Sequence, residues 1–136
     1  DQPLLHAYQH DLPPFHESLD PDGGAAIWRQ VFHERFSMVR EDIAGREPLI
    51  VEGTGLEPDD VAPLAAPGCA FWLVPSHAFW QPRHLTRDWA KASDWHYHTV
   101  QSAHYRERCS RLGMPLLTID GSLTPAEVAA QVMGSG

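Results

Sequence analysis

Hydrophobic and polar positions alternate along this chain in two regimes. From about Ala25 to Ala44, Phe32, Phe36, Val39 and Ile43 recur at i, i+4, i+7 and i+11, with Arg29, Glu34, Arg40 and Glu41 on the other faces. That spacing predicts an amphipathic helix, which Gly45 stops. Three short apolar runs bounded by turn residues then read as buried strands: residues 48–52, 70–75 and 115–119. Pro58 suits the first turn of a short helix, with Asp59 and Asp60 at its positive end. A helix is expected from Ser76 to about Lys91, kinked near Pro82, and a longer one from about Ser93 to Leu112. The longer one carries Tyr105, Cys109 and Leu112 on one face and ends at Gly113. The clearest local signal is the last helix: Thr124 caps it, Pro125 occupies its first turn, Glu127 completes a capping box, and Val128 and Val132 face the core. Strands alternating with helices predict an α/β fold with a parallel sheet.

Ahead of this region, residues 1–24 are Pro-rich, end in Asp20-Pro21-Asp22-Gly23-Gly24, and are expected to form an irregular arm, leaving 25–136 as the α/β domain. Composition changes this picture little. A chain of 136 residues that is 43% apolar and 21% charged suits one globular domain. No apolar run approaches the ~20 residues of a membrane span, and no secretory signal precedes the domain, so a cytoplasmic protein without membrane contact is expected. Cys69 and Cys109 lack metal or redox spacing and are expected to be ordinary reduced thiols. The formal charge of −8 argues against a nucleic-acid partner. Its distribution is uneven: residues 1–28 hold no Lys or Arg, whereas Arg83, Arg87, Lys91, Arg106, Arg108 and Arg111 lie within 83–111. A locally basic stretch on an acidic chain is a candidate anion site.

Candidate chemistry begins at Leu49-Ile50-Val51-Glu52-Gly53-Thr54-Gly55, where a carboxylate closes the first expected strand. Ligands of open α/β sheets bind beyond the carboxyl ends of the strands. Other constellations are weaker. His6 and His10 have zinc-pair spacing, but Ala7 stands where a hydrolytic Glu is needed. His96 and His98 would diverge on a helix, and His77 with His84 lacks an evident third ligand. Gly53-Thr54-Gly55 continues into Pro58 instead of a third glycine, and Ser76-His77 is not set in Gly-x-Ser-x-Gly. The five tryptophans could stack on bases but suit core packing.

Taken in order over residues 25–133, the pieces resemble the carboxyl-terminal two thirds of a P-loop nucleotide- or small-molecule-kinase-like NTPase. The likeness is to the adenylate-kinase-like group and to bacterial kinase-like or AAA-family ATPases. It rests on residues 49–55, Phe71-Trp72-Leu73-Val74-Pro75, Arg83-His84-Leu85-Thr86-Arg87-Asp88 and Leu117-Thr118-Ile119-Asp120-Gly121-Ser122. It implies a three-layer α/β/α parallel sheet and ATP-dependent phosphorylation of a small molecule or nucleotide, with magnesium as cofactor. By the same resemblance Glu52 would stand near magnesium or the acceptor. Arg83 and Arg87 would close over the transferred phosphate, and Asp120, Gly121 and Ser122 would pass near the adenine. Phosphoryl transfer depends mainly on positioning and positive charge, and two arginines at i, i+4 on a helix can share one anion.

The chain departs from that pattern in one respect. Its single lysine, Lys91, follows Ala90, so it holds no Gly-x-x-x-x-Gly-Lys-Ser/Thr. The resembled P-loop strand lies between those matched by 48–52 and 70–75, so the sheet is expected to have about three strands with its central strand missing. Either strands 48–52 and 70–75 pair directly, or Leu4–Tyr8 fills the gap, or a gap remains whose unpaired edges favour a homodimer. A piece of a longer kinase-like protein, not competent alone, is the first expectation. A degenerate relative or a non-catalytic α/β binding module is the alternative.

Overall fold

The computed structural model describes residues 21–46, 50–87 and 94–134. Its elements are α1 (Pro21–Ile43), α2 (Pro58–Val61), β1 (Trp72–Pro75), α3 (His77–His84), α4 (Asp94–Leu112), β2 (Leu116–Ile119) and α5 (Pro125–Gly134). β1 and β2 pair in parallel, with Trp72 opposite Leu116 and Pro75 opposite Ile119. α3 and α4 together form the crossover a parallel pair requires. The fold is therefore mixed α/β, with a two-stranded parallel sheet among the described residues.

The core is small and lies where α1 and β1 meet α4. Ala25, Val31 and Phe36 of α1, Val74 of β1 and Cys109 of α4 are buried. Phe32, Val39 and Ile43 are half-buried, as the spacing along α1 predicts. Burial pushes the Cys109 thiol up to about 11, Asp59 and Glu57 adding to the shift. It is an inert packing group. Cys109 and the exposed Cys69 are both free.

Two elements differ from the sequence expectation. α1 begins at Pro21, upstream of Gly23 and Gly24, because proline is accepted in a first helical turn, where its missing N–H has no partner to lose. The first expected strand is not formed by the part of it that is described. Residues 50–52 lie outside any strand, Ile50 is 91% exposed and Val51 42%. Residues 48 and 49 fall outside the described set. An apolar run becomes a strand only by pairing, and among the described residues β1 and β2 pair only with each other. Residues 1–20, including Leu4–Tyr8, His6 and His10, also fall outside the described set.

Helix ends follow local chemistry. Gly113 adopts φ +66, and Met114 N–H reaches back to the Cys109 carbonyl at 2.9 Å, closing α4 in a left-handed cap. α3 starts at Ser76, whose hydroxyl accepts from Phe79 N–H at 3.3 Å. Pro82 lies inside α3 and removes one donor from its ladder. The helix ends at His84, short of the expected Lys91. At α5 the reciprocal box is formed: Glu127 N–H donates to Thr124 Oγ1 at 3.3 Å, and Thr124 N–H donates to Glu127 Oε2 at 2.7 Å. The Thr124 N–H holds the Glu127 carboxyl below its ordinary range. No α5 residue is fully buried, so the cap carries an unusual share of that helix's stability. Thr124→Ala is expected to weaken α5 by about 1 kcal/mol, seen as roughly 5-fold faster amide exchange at residues 128–132 while the α4 amides keep their rates.

Candidate functional site

One cavity of the described surface lies at the carboxyl end of the parallel pair. Ser76 N–H donates to the Ile119 carbonyl at 2.8 Å and joins the two strand ends. From β1 the chain turns directly into α3. Pro75, Phe79, Trp80, Arg83, His84 and Arg87 line a cavity of about 170 Å³. From β2 it enters Asp120-Gly121-Ser122. Asp120 Oδ1 accepts from Ser122 N–H at 2.9 Å and from its hydroxyl at 2.6 Å, and these bonds hold the Asp120 carboxyl below the usual range. Gly121 sits at φ +90, and a Cβ there would lie 3.2 Å from the Phe79 ring. Only glycine combines that backbone with that approach.

Phe79 links the two halves of this edge. The Arg83 guanidinium carbon lies 3.6 Å from the Phe79 ring centroid, and its Nη1 donates to the Phe79 carbonyl at 2.9 Å. Cation–π contact and a hydrogen bond to the Phe79 carbonyl in the first turn of α3 fix the guanidinium beside the cavity. Arg87, in the turn after α3, lines the same cavity. Of the sequence-predicted residues, Arg83, Arg87, Asp120, Gly121 and Ser122 therefore belong to one edge of the sheet. Glu52 does not join them. It is exposed, and it lines neither cavity.

Behind the arginines stands an aromatic stack. The Trp80 indole lies parallel to the His84 imidazole at 4.2 Å and to that of His98, from α4, at 4.6 Å. His98 Nε2 is 3.2 Å from the Pro75 carbonyl, which can only accept, so Nε2 carries the hydrogen. Desolvation holds the His98 imidazole below the usual histidine value. The Pro75 bond opposes this, and the nearby His77 and His84 reinforce it. The folded value lies below the unfolded one, near ~6.5. This group's contribution is thus complete above that pH and lost as pH falls toward the folded value. Unfolding in urea between pH 7 and 5 should show stability falling, with the slope reduced by less than one proton in His98→Gln. Asp59 is distinct, because its value is lowered from 3.8 by Arg108 and its loss begins only below that pH.

The second cavity, of about 350 Å³, is lined by Arg29, His33, Glu57, Asp59, Asp60 and His104. Glu57 was not recognisable from sequence as a site residue. Its side chain is 7% exposed and accepts from His104 Nε2 at 2.8 Å, Gln101 Nε2 at 3.1 Å and the Tyr105 hydroxyl at 3.4 Å. Desolvation raises the Glu57 carboxyl above its ordinary value, against the opposing pull of His104, Gln101 and Arg29. Tyr105 is pushed up to about 12, mainly by burial and then by the Glu57 charge. A signal existed: Gln101, His104 and Tyr105, at i, i+3 and i+4, place a polar patch on the helix face that carries Cys109.

Among the described residues no group of three or more His, Cys, Asp or Glu is arranged to hold a metal ion, and no helix is long and apolar enough to cross a membrane. Profiles of known families, curated proteins and solved structures yield no match to this chain.

Proposed function

We propose that this chain is the phosphoryl-recognising part of a kinase-like phosphotransferase, with Arg83 and Arg87 binding the phosphate at the carboxyl edge of the parallel pair. The observation that carries the reading is the shared cavity of these two arginines beside the loop after β2. Such an edge is where α/β sheets place ligands.

Size and occupancy decide which part of a nucleotide fits. A cavity of about 170 Å³ is below the ~300 Å³ at which small-molecule sites usually begin. Its aromatic rings are already engaged, Trp80 with two imidazoles and Phe79 with Arg83. The residues present fit a phosphate group and do not fit a stacked adenosine. Nor is a magnesium-binding cluster present among the described residues, so no step is assigned to the metal. ATP, when bound, would supply the phosphoryl group. Arg83 and Arg87 would hold that group through charge-assisted hydrogen bonds and neutralise charge on its oxygens. The β2 loop, shaped by Asp120 and Gly121, keeps Phe79 and hence Arg83 in place.

One observation favours the second reading, a non-catalytic α/β binding module: Glu52 is exposed and does not line the cavity of the arginines. Equilibrium titration with pyrophosphate and with adenosine tests the proposal. Saturable binding of pyrophosphate without binding of adenosine is expected. Binding of neither, or of adenosine alone, overturns it.

A further inference from the structure

Three elements meet at the second cavity. α1 supplies Arg29 and His33 one turn apart, the segment through α2 supplies Glu57, Asp59 and Asp60, and α4 supplies His104. All six side chains are ionisable, and most are oriented by bonds to one another. His33 Nδ1 lies 2.6 Å from Asp60 Oδ1, His104 Nε2 lies 2.8 Å from Glu57 Oε2, and Arg108 Nε donates to Asp59 at the rim at 2.8 Å. Glu57 is 5% exposed, and the donors around it fix its position.

These bonds leave particular atoms for a ligand. An ionised Glu57 can only accept, so Nε2 of His104 carries the hydrogen and the lone pair of the neutral ring is on Nδ1. Arg29 Nη1 donates to Gln101 Oε1 at 3.4 Å, and the guanidinium has further N–H groups to offer. Arg29 and Arg108 offset two of the three carboxylates. The remaining negative charge disfavours a phosphate or carboxylate ligand, while the two guanidinium groups oppose a simple cation. A volume of about 350 Å³ is at the small end of the ~300–1000 Å³ range of ligand sites.

We propose that this cavity binds one neutral polyhydroxylated small molecule, of the sugar or cyclitol class, with Arg29 donating to its hydroxyls and His104 Nδ1 accepting from one of them. Dense, fixed donors and acceptors of both kinds suit a ligand whose every hydroxyl both donates and accepts. The assignment of this molecule as the phosphoryl acceptor rests on the reading under Proposed function, whereas its binding does not. α4 walls both regions: His98 stacks behind the phosphate cavity and His104 follows six residues on, roughly 9 Å along the helix at ~1.5 Å per residue.

The test is titration of the chain with myo-inositol and with methyl β-D-glucoside, with inorganic phosphate and spermidine as charged controls. The imidazole signals of His33 and His104 are followed by NMR at pH 7.5. At least one polyol should shift His104 saturably, with half-saturation below about 10 mM, the Nε2–H tautomer retained, and neither control doing so. Arg29→Gln, which leaves the bonds of Glu57 to His104 and Tyr105 in place, should weaken that binding by about 10-fold. Absence of a saturable shift with both polyols overturns the proposal. So does binding of phosphate or spermidine in their place, an Nδ1–H tautomer, or unchanged affinity in Arg29→Gln. The polyol titrations contain no phosphate compound. Failure of pyrophosphate to bind at Arg83 and Arg87 would remove the acceptor role and leave the polyol result standing.

Discussion

Replacing Arg83 and Arg87 together by glutamine is expected to weaken pyrophosphate binding by about 100-fold or more. Each charge-assisted hydrogen bond to a phosphate is worth about 1.5–3 kcal/mol, and 1.4 kcal/mol is a factor of ten in affinity. Either single variant should lose about 10-fold. Arg83→Lys should recover only part of that loss, because an ammonium keeps the charge but not the planar fork, and packs differently over Phe79. Arg111→Gln is the control for net charge. Arg111 pairs with Glu107 on the exposed face of α4 at 2.7 Å, and its loss should change affinity by less than 2-fold at ~0.1 M salt, where distant exposed charges are largely screened. Calorimetric titration of the five variants beside the parent chain reads all of these effects. Equal losses in Arg111→Gln and the double variant would reduce the site to a nonspecific field.

The second large effect is on stability. Glu57→Ala is expected to cost about 3 kcal/mol, since each buried donor left without its acceptor costs ~1–3 kcal/mol. It would leave His104, Gln101 and Tyr105 without their shared acceptor. The bonds span 44 to 48 positions in sequence, so they also fasten the segment ahead of α2 to α4. Glu57→Gln retains an acceptor and the shape of the side chain, and should cost roughly 1 kcal/mol. Urea denaturation at pH 7 separates the two variants. The pH dependence adds a second reading. Desolvation raises the folded Glu57 value above 4.5, so the folded state binds the proton more tightly than the unfolded chain. Stability from this group therefore declines as pH rises from about 4.5 through the folded value, and Glu57→Gln should remove that component of the slope. An unchanged denaturation midpoint in Glu57→Ala would mean the tether does not exist in solution.

What could be read from the sequence was governed by whether the signal was local. Thr124, Pro125 and Glu127 specify the start of α5 through bonds spanning three positions, and those bonds are present. Gly113 ends α4 because its backbone alone tolerates φ +66 cheaply. The apolar runs at 70–75 and 115–119 become β1 and β2 because each has the other as a neighbour. The run at 48–52 carries a similar pattern, yet Ile50 and Val51 lie exposed outside any strand. Apolar patterning reports the capacity to pair, and pairing needs a second chain segment that composition does not reveal. The site divides the same way. Arg83 and Arg87, four positions apart, do reach one cavity, while Glu52 shared only an assumed sheet with them. Glu57 escaped notice because its partners lie on α4, and nothing near position 57 announces a helix so distant in sequence.

The central claim is that Arg83 and Arg87 grip one phosphate at the carboxyl edge of β1 and β2. Arginine side-chain Nε–H NMR signals recorded during titration with tripolyphosphate test it most directly, since each guanidinium reports separately. The account predicts that Arg83 and Arg87 shift together along one saturable curve, with Arg106, Arg108 and Arg111 unmoved. A curve carried by those three arginines of α4, or no saturable shift at Arg83 and Arg87, would contradict it.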